Sequence, residues 1–163
     1  MTERSRTVTW HDPLETAARL PDLSGIDFMR AIVSGELAAP PMAVLMNMRA
    51  TRVEEGLVEF ECEPDESHYN PLGIVHGGYA CTVLDTVAGC ATQTTLRQGL
   101  GYTSLEIKVN YLRALSTPSG VLTATGRVTK PGNRVAFAEA SLADADGRLI
   151  ATASSTLFVF ALP

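Results

Sequence analysis

Residues 70–78 read Asn-Pro-Leu-Gly-Ile-Val-His-Gly-Gly, and Asp85 follows eight positions after Gly77. The glycine pair stands where an apolar rhythm begins. Ala80, Val83, Leu84, Val87, Ala88 and Ala91 recur at helical spacing, which predicts a helix of about five turns from about His76 to Leu96. Backbone N–H groups at such a start have no intrahelical partner and lie at the positive end of the dipole. They suit an oxyanion or a polarised carbonyl, although a glycine pair also simply permits close packing. Asp85 interrupts the apolar run with no cation at i±3 or i±4. Such a carboxylate serves as a base or nucleophile, or else faces an exposed turn or bonds a neighbouring strand.

Gly77 and Asp85 are roughly 12 Å apart along a helix axis, too far for one small scissile group to touch both. If both act on one substrate, the carboxylate must come from a second subunit whose helix runs the other way, as a two-fold dimer supplies. His76 is a possible general base, a helix-start hydrogen-bonding group or a satisfied core imidazole. Its place at the helix entrance, away from Asp85, favours positioning. His11 and His68 read as surface residues. The three histidines and nearby acids show no metal-ligand spacing. Cys81 has no base beside it, and no GxSxG, P-loop or GxGxxG motif is present.

The elements around this segment are strands. Met42 to Val53 and Leu57 to Cys62 read as a hairpin about Glu54-Glu55-Gly56. Pro64 to Gly73 reads as loop, broken at Asn70-Pro71. After the helix, Leu105, Ile107, Val109 and Tyr111 alternate with polar residues. Val121 to Thr129, Val135 to Ala143 and Leu149 to Phe160 follow, separated by the turns 116–120, 131–133 and 144–147. Short turns predict a four-strand antiparallel meander, hence an α+β fold. Upstream, Ser24 is placed to cap a short helix to about Ser34 that Gly35 ends, and Pro40-Pro41 enforces an extended connection. Residues 1–41 are thus an N-terminal extension with a short helix, packed on a domain of residues 42–163.

With 163 residues and 45% apolar content, the chain fits one compact domain. Its net charge of −5 argues against nucleic acid. Arg97, Lys108, Arg113, Arg127, Lys130 and Arg134 nevertheless stand against Glu106 alone in their stretch. That cationic third suits a polyanionic small ligand, or is a scatter of strand cations. The apolar run Gly77–Ala91 is too short to span a bilayer and contains Asp85, so no membrane association is expected. Cys62, Cys81 and Cys90 form no CxxC pair, and the polar N-terminus is no secretory signal, which together point to the cytoplasm.

The run from Asn70 through Gly78 to Asp85, followed by Lys108-Val109-Asn110-Tyr111-Leu112-Arg113, resembles the hot-dog-fold acyl-CoA thioesterases of the PaaI-like, phenylacetate-degradation group. The Gly132-Asn133-Arg134 turn and the Asp146-Gly147-Arg148-Leu149-Ile150-Ala151 turn fit the same pattern, and the likeness covers about Met42 to Phe160. The start Trp10-His11-Asp12-Pro13 is similar to an extension in some members. The resemblance implies a long central helix wrapped by a curved antiparallel sheet, two such units sharing one sheet as a homodimer, and dimers pairing into a homotetramer. Asp85 matches the carboxylate that activates water or attacks the thioester, and Asn70 matches the amide that orients the water. Gly77 matches the backbone donor to the thioester oxygen, His76 a supporting residue, and Ser104 a hydroxyl that helps place the nucleophile. Asn70, His76 and Gly77 would come from one subunit, Asp85 and Ser104 from its partner. Gly78, Lys130, Gly132, Asn133 and Arg134 would contact the coenzyme A of the substrate, and no metal or other cofactor is implied. Ala114 departs from the family, where proline is usual after the arginine. An acyl-CoA sensor without catalysis and an enoyl-CoA hydratase-type enzyme are the alternatives on the same fold.

Overall fold

The computed structural model describes residues 2–115 and 120–162. Helices α1 (Pro13–Ala17), α2 (Gly25–Ser34) and α3 (Pro41–Leu45) precede strands β1 (Met48–Glu54) and β2 (Leu57–Cys62). The central helix α4 (Gly77–Thr94) follows, then β3 (Leu100–Tyr111), β4 (Leu122–Lys130), β5 (Val135–Ala143) and β6 (Leu149–Ala161).

The capping logic for α2 holds. Ser24 Oγ accepts from the Asp27 N–H, and Gly35 closes the helix in the left-handed region at φ 79°. The diproline behaves differently from expectation. Pro40 is extended, but Pro41 begins α3, because its fixed φ suits the first helical position and its missing N–H costs nothing there. The strand expected from Met42 therefore starts only at Met48.

The six strands form one antiparallel sheet in the order β1-β2-β4-β5-β6-β3. This corrects the four-strand meander. β4, β5 and β6 are consecutive neighbours, but β3 pairs with β6 from Leu100↔Ala161 to Tyr111↔Ala151, while β4 inserts beside β2. The link from β3 to β4 is too long to act as a tight hairpin, so it does not force adjacency. The Ser116–Ser119 part of the turn expected there lies outside the described residues.

Helix α4 packs against all six strands, so the sheet curves around it. Val83, Leu84, Val87 and Ala91 are fully buried against Val58, Leu122, Leu142 and Leu157. Close approach depends on Gly126 of β4, where a Cβ would fall 2.0 Å from the Val87 carbonyl oxygen. Over the outer side of the helix, the Gly25 N–H of α2 donates to the Leu96 carbonyl at 2.9 Å. The twelve-residue strand β3 lies at the sheet edge.

Candidate active site

The loop leading into α4 is tied largely to itself. Asn70 Oδ1 accepts from the Leu72 N–H at 2.9 Å, and the Asn70 N–H donates to the Ile74 carbonyl at 2.8 Å. The Val75 N–H donates to Leu115, anchoring the loop to the segment beyond β3. Among the described residues the Asn70 Nδ2 amide has no protein partner, so it is available to a ligand or water.

His76 caps the helix. Its Nδ1 accepts from the Gly78 N–H at 2.8 Å, so this nitrogen is unprotonated there and the ring's proton belongs to Nε2. Gly78 permits this approach, since a Cβ there would lie 2.8 Å from Nδ1. The two glycines consequently differ. Gly78 spends its N–H on the cap, whereas the Gly77 N–H has no hydrogen-bond partner among the described residues. Asn70, His76 and Gly77 line one groove of about 340 Å³ with Tyr111, Leu112 and Ile150. Tyr111 was not singled out from sequence as a site residue. Its hydroxyl donates to the Gly77 carbonyl at 3.2 Å, and its ring lies 3.3 Å from where a Gly77 Cβ would stand. The signals available in the sequence were its place at the end of an alternating strand and its membership of the 108–113 run that carries the resemblance.

Tyr79 fixes the same mouth from behind. Its hydroxyl donates to the Met46 carbonyl at 2.9 Å, and its ring meets His68 edge-on at a centroid distance of 4.9 Å. His68 is thus largely buried, contrary to the surface reading. Its Nδ1 accepts from the Asp65 N–H at 3.0 Å, closing a capping box. His11 is exposed.

Two turns along α4, Asp85 is half-buried, and the Ser104 hydroxyl of β3 donates to its Oδ1 at 2.8 Å. Asp85 and Ser104 thus form a pair within one chain, separate from the groove that holds Asn70, His76 and Gly77. Lys130, Gly132, Asn133 and Arg134 lie at the β4–β5 turn. There Gly132 and Asn133 border a hollow with Thr95, Leu96 and Arg97, at the C-terminal end of α4. Lys130, Arg134 and Arg97 are exposed and make no ion pair among the described residues.

The cysteines are all free. Burial, assisted by Glu61, pushes the Cys62 thiol up to about 12, and burial with the charge of Asp85 does the same for Cys90. Both are protonated at neutral pH and poor nucleophiles. Among the described residues, no group of three His, Cys, Asp or Glu side chains is arranged to hold a metal ion, and no helix is long and apolar enough to cross a membrane.

Residues 72–151 match the family model of the thioesterase superfamily. Mouse acyl-coenzyme A thioesterase 13 is 30% identical over 97 residues, covering 59% of this chain and 68% of that protein. The crystal structure of the phenylacetic acid degradation-related protein of Ralstonia eutropha superposes with a TM-score of 0.74 at 26% identity, over 80% of this chain and 98% of that one. A Streptococcus mutans protein solved with acetyl-CoA bound gives 0.65 at 26% identity, over 71% and 90%. The helix-in-sheet architecture is that of a hot-dog-fold thioester hydrolase. The chain belongs to the thioesterase superfamily.

Proposed function

We propose that this protein hydrolyses acyl-CoA thioesters to the free acid and coenzyme A, at sites shared between two antiparallel copies. The observation that carries the reading is the Asp85–Ser104 pair, a half-buried carboxylate held by a strand hydroxyl beside the sheet edge. β3 presents a long unpaired edge, with Leu105 60% and Tyr111 56% exposed, which is the usual template for pairing with a second chain. A two-fold axis at that edge would bring Asp85 of one copy to the Gly77 mouth of the other, across the 12 Å that one helix leaves between them. In this reading residues 42–163 form the catalytic unit and residues 1–41 extend it. Free thiols suit a cytoplasmic enzyme, and further pairing of dimers would give a tetramer.

The chemistry follows from these groups. The thioester oxygen accepts from the unpartnered Gly77 N–H, where the helix dipole favours developing negative charge. The Asn70 amide holds a water against the carbonyl carbon. The Asp85 carboxylate takes a proton from that water as the C–O bond forms, and collapse of the tetrahedral intermediate breaks the C–S bond. The thiolate leaves and is protonated. Direct attack by Asp85 would instead form an anhydride, and label found in the Asp85 carboxylate after a single turnover in ¹⁸O-water would establish that route, because the general-base route places label in the product acid alone. His76 serves as a cap rather than as a base. Gly132, Asn133 and the exposed Lys130 and Arg134 would meet the nucleotide phosphates, with the Gly78 region bordering the pantetheine.

A thiol-release assay over a panel of acyl-CoAs tests the reading. Turnover is expected, with loss in Asp85→Ala. Tight acyl-CoA binding without thiol release would replace it by a sensor role, and hydration of an enoyl-CoA would replace it by a hydratase.

A further inference from the structure

Residues 2–12 form no helix or strand, yet two of their arginines reach the loop that leads into α4. Arg4 Nη1 donates to both carboxylate oxygens of Glu66 at 2.7 Å. Arg6 Nη1 pairs with Asp65 Oδ2 at 3.0 Å and donates to Ser67 Oγ at 3.2 Å, while its Nη2 donates to the Val44 carbonyl at 3.4 Å. The Arg6 side chain is only 30% exposed, against 71% for Arg4, so solvent screens its pair less. No backbone hydrogen bond among the described residues joins residues 2–6 to the loop, and the arginine heads make the attachment.

These contacts end on groups that also hold the helix mouth. Val44, Leu45 and Met46 offer three consecutive carbonyls at the end of α3. The first accepts from Arg6, the second from His68 Nε2 at 3.3 Å, and the third from the Tyr79 hydroxyl at 2.9 Å. His68 can donate there because its Nδ1 is occupied as the acceptor of the Asp65 N–H. One short stretch thus fastens the N-terminal segment, the 65–68 turn and the first turn of α4. Asp65 Oδ2 holds Arg6 while its Oδ1 accepts from the Ser67 N–H at 2.8 Å, so the same carboxylate caps the turn. From the turn the route to the mouth is one bond long: the His76 N–H donates to the His68 carbonyl at 2.8 Å, and Gly77 is the next residue. Asn70 lies on the loop between these two histidines.

We infer that residues 4–6 form a strap, and that Arg4 and Arg6 are positioning residues for the loop that carries Asn70 and opens α4 at Gly77. Both arginines lie outside residues 72–151, the segment that matches the family model. For its kinetic consequence the inference rests on the acyl-CoA reading above. An exposed ion pair contributes little to global stability, but a donor misplaced by about 1 Å can cost a reaction up to about 100-fold. The strap therefore acts on rate more than on folding.

The test joins kinetics to amide hydrogen exchange in the full-length chain. In an Arg4→Ala, Arg6→Ala protein, amides of residues 68–77 are expected to exchange at least ~10-fold faster, with those of β4 to β6 unchanged, because the opening is local. With the acyl-CoA of the thiol-release panel that the wild type turns over fastest, kcat should fall about fivefold and KM stay within about twofold, since the coenzyme A contacts are untouched. Arg4→Glu and Glu66→Arg should each show part of both effects. Their combination re-forms the pair with charges exchanged and should restore both to within about twofold of the wild type. Wild-type exchange in the loop, faster exchange throughout the chain, a kcat unchanged while the loop loosens, or a charge exchange that restores nothing overturns the strap. If the wild type cleaves no thioester of the panel, only the hydrolase reading fails, and the exchange rates with the charge-exchanged pair still decide whether the arginines hold the loop.

Discussion

The Ser104 hydroxyl donates to Asp85 Oδ1 at 2.8 Å, tying the edge strand to the middle of the central helix. This bond occupies one carboxylate oxygen and leaves the other for chemistry. Asp85→Ala is expected to lower kcat at least ~100-fold, the usual cost of losing a general base, with the fold intact by circular dichroism. Ser104→Ala should cost less, about 10-fold, near the lower end of the about 1.5–3 kcal/mol that a hydrogen bond to a charged group is worth, because the base itself stays in place. Full turnover in a folded, dimeric Asp85→Ala protein would remove this residue from the mechanism.

His76 binds the helix start through Nδ1, so its contribution should be separable from proton transfer. His76→Ala is expected to destabilise the protein by about 1 kcal/mol in urea unfolding, as loss of an N-cap does. His76→Asn restores an acceptor at that place and should recover both stability and most of the activity. A kcat that falls equally in the two variants would make the imidazole a proton carrier instead.

Gly126 sits where strand and helix backbones nearly touch, 2.0 Å between a notional Cβ and the Val87 oxygen. The clash is with backbone, which cannot rotate away. Gly126→Ala should therefore destabilise by about 3 kcal/mol or more, or fail to accumulate as folded protein, at the upper end of overpacking costs. A melting temperature within a degree or two of the wild type would show that the helix has room to lift.

The thiols of the buried Cys62 and the half-buried Cys90 make stability fall in alkali. Unfolded cysteine loses its proton near pH 8.5, whereas burial holds both thiols protonated up to about 12. Between those values the folded state binds more protons than the unfolded one, so this contribution is complete below about pH 8.5 and is lost as pH rises toward 12. The limiting slope is about 1.4 kcal/mol per pH unit for each thiol. Urea midpoints at pH 7 and 10 should drop further in the wild type than in a Cys62→Ala, Cys90→Ala protein, and equal drops would contradict it.

Local rules in the chain were enough for much of this molecule. Ser24 and Gly35 bracket α2 because caps are decided by neighbouring residues, and the rhythm from Ala80 to Ala91 specifies the core face of α4 because helical periodicity is intrinsic. Asp85 was conspicuous as a charge inside that rhythm, and the helix start at Gly77 as a source of backbone donors. Tertiary structure decided the rest. Whether Pro41 begins a helix or extends a strand, and whether β3 lies beside β4 or β6, depend on contacts between residues far apart in sequence. The same holds for which glycine keeps a free N–H, which needed the His76 ring to be placed, and for the seat of Tyr111 against Gly77. The strap from Arg4 and Arg6 was the least legible feature, because its acidic partners lie about sixty residues further along the chain, and charges in a polar terminus alone read as solvated. Periodicity assigns a side chain to a face, and only packing determines what that face meets.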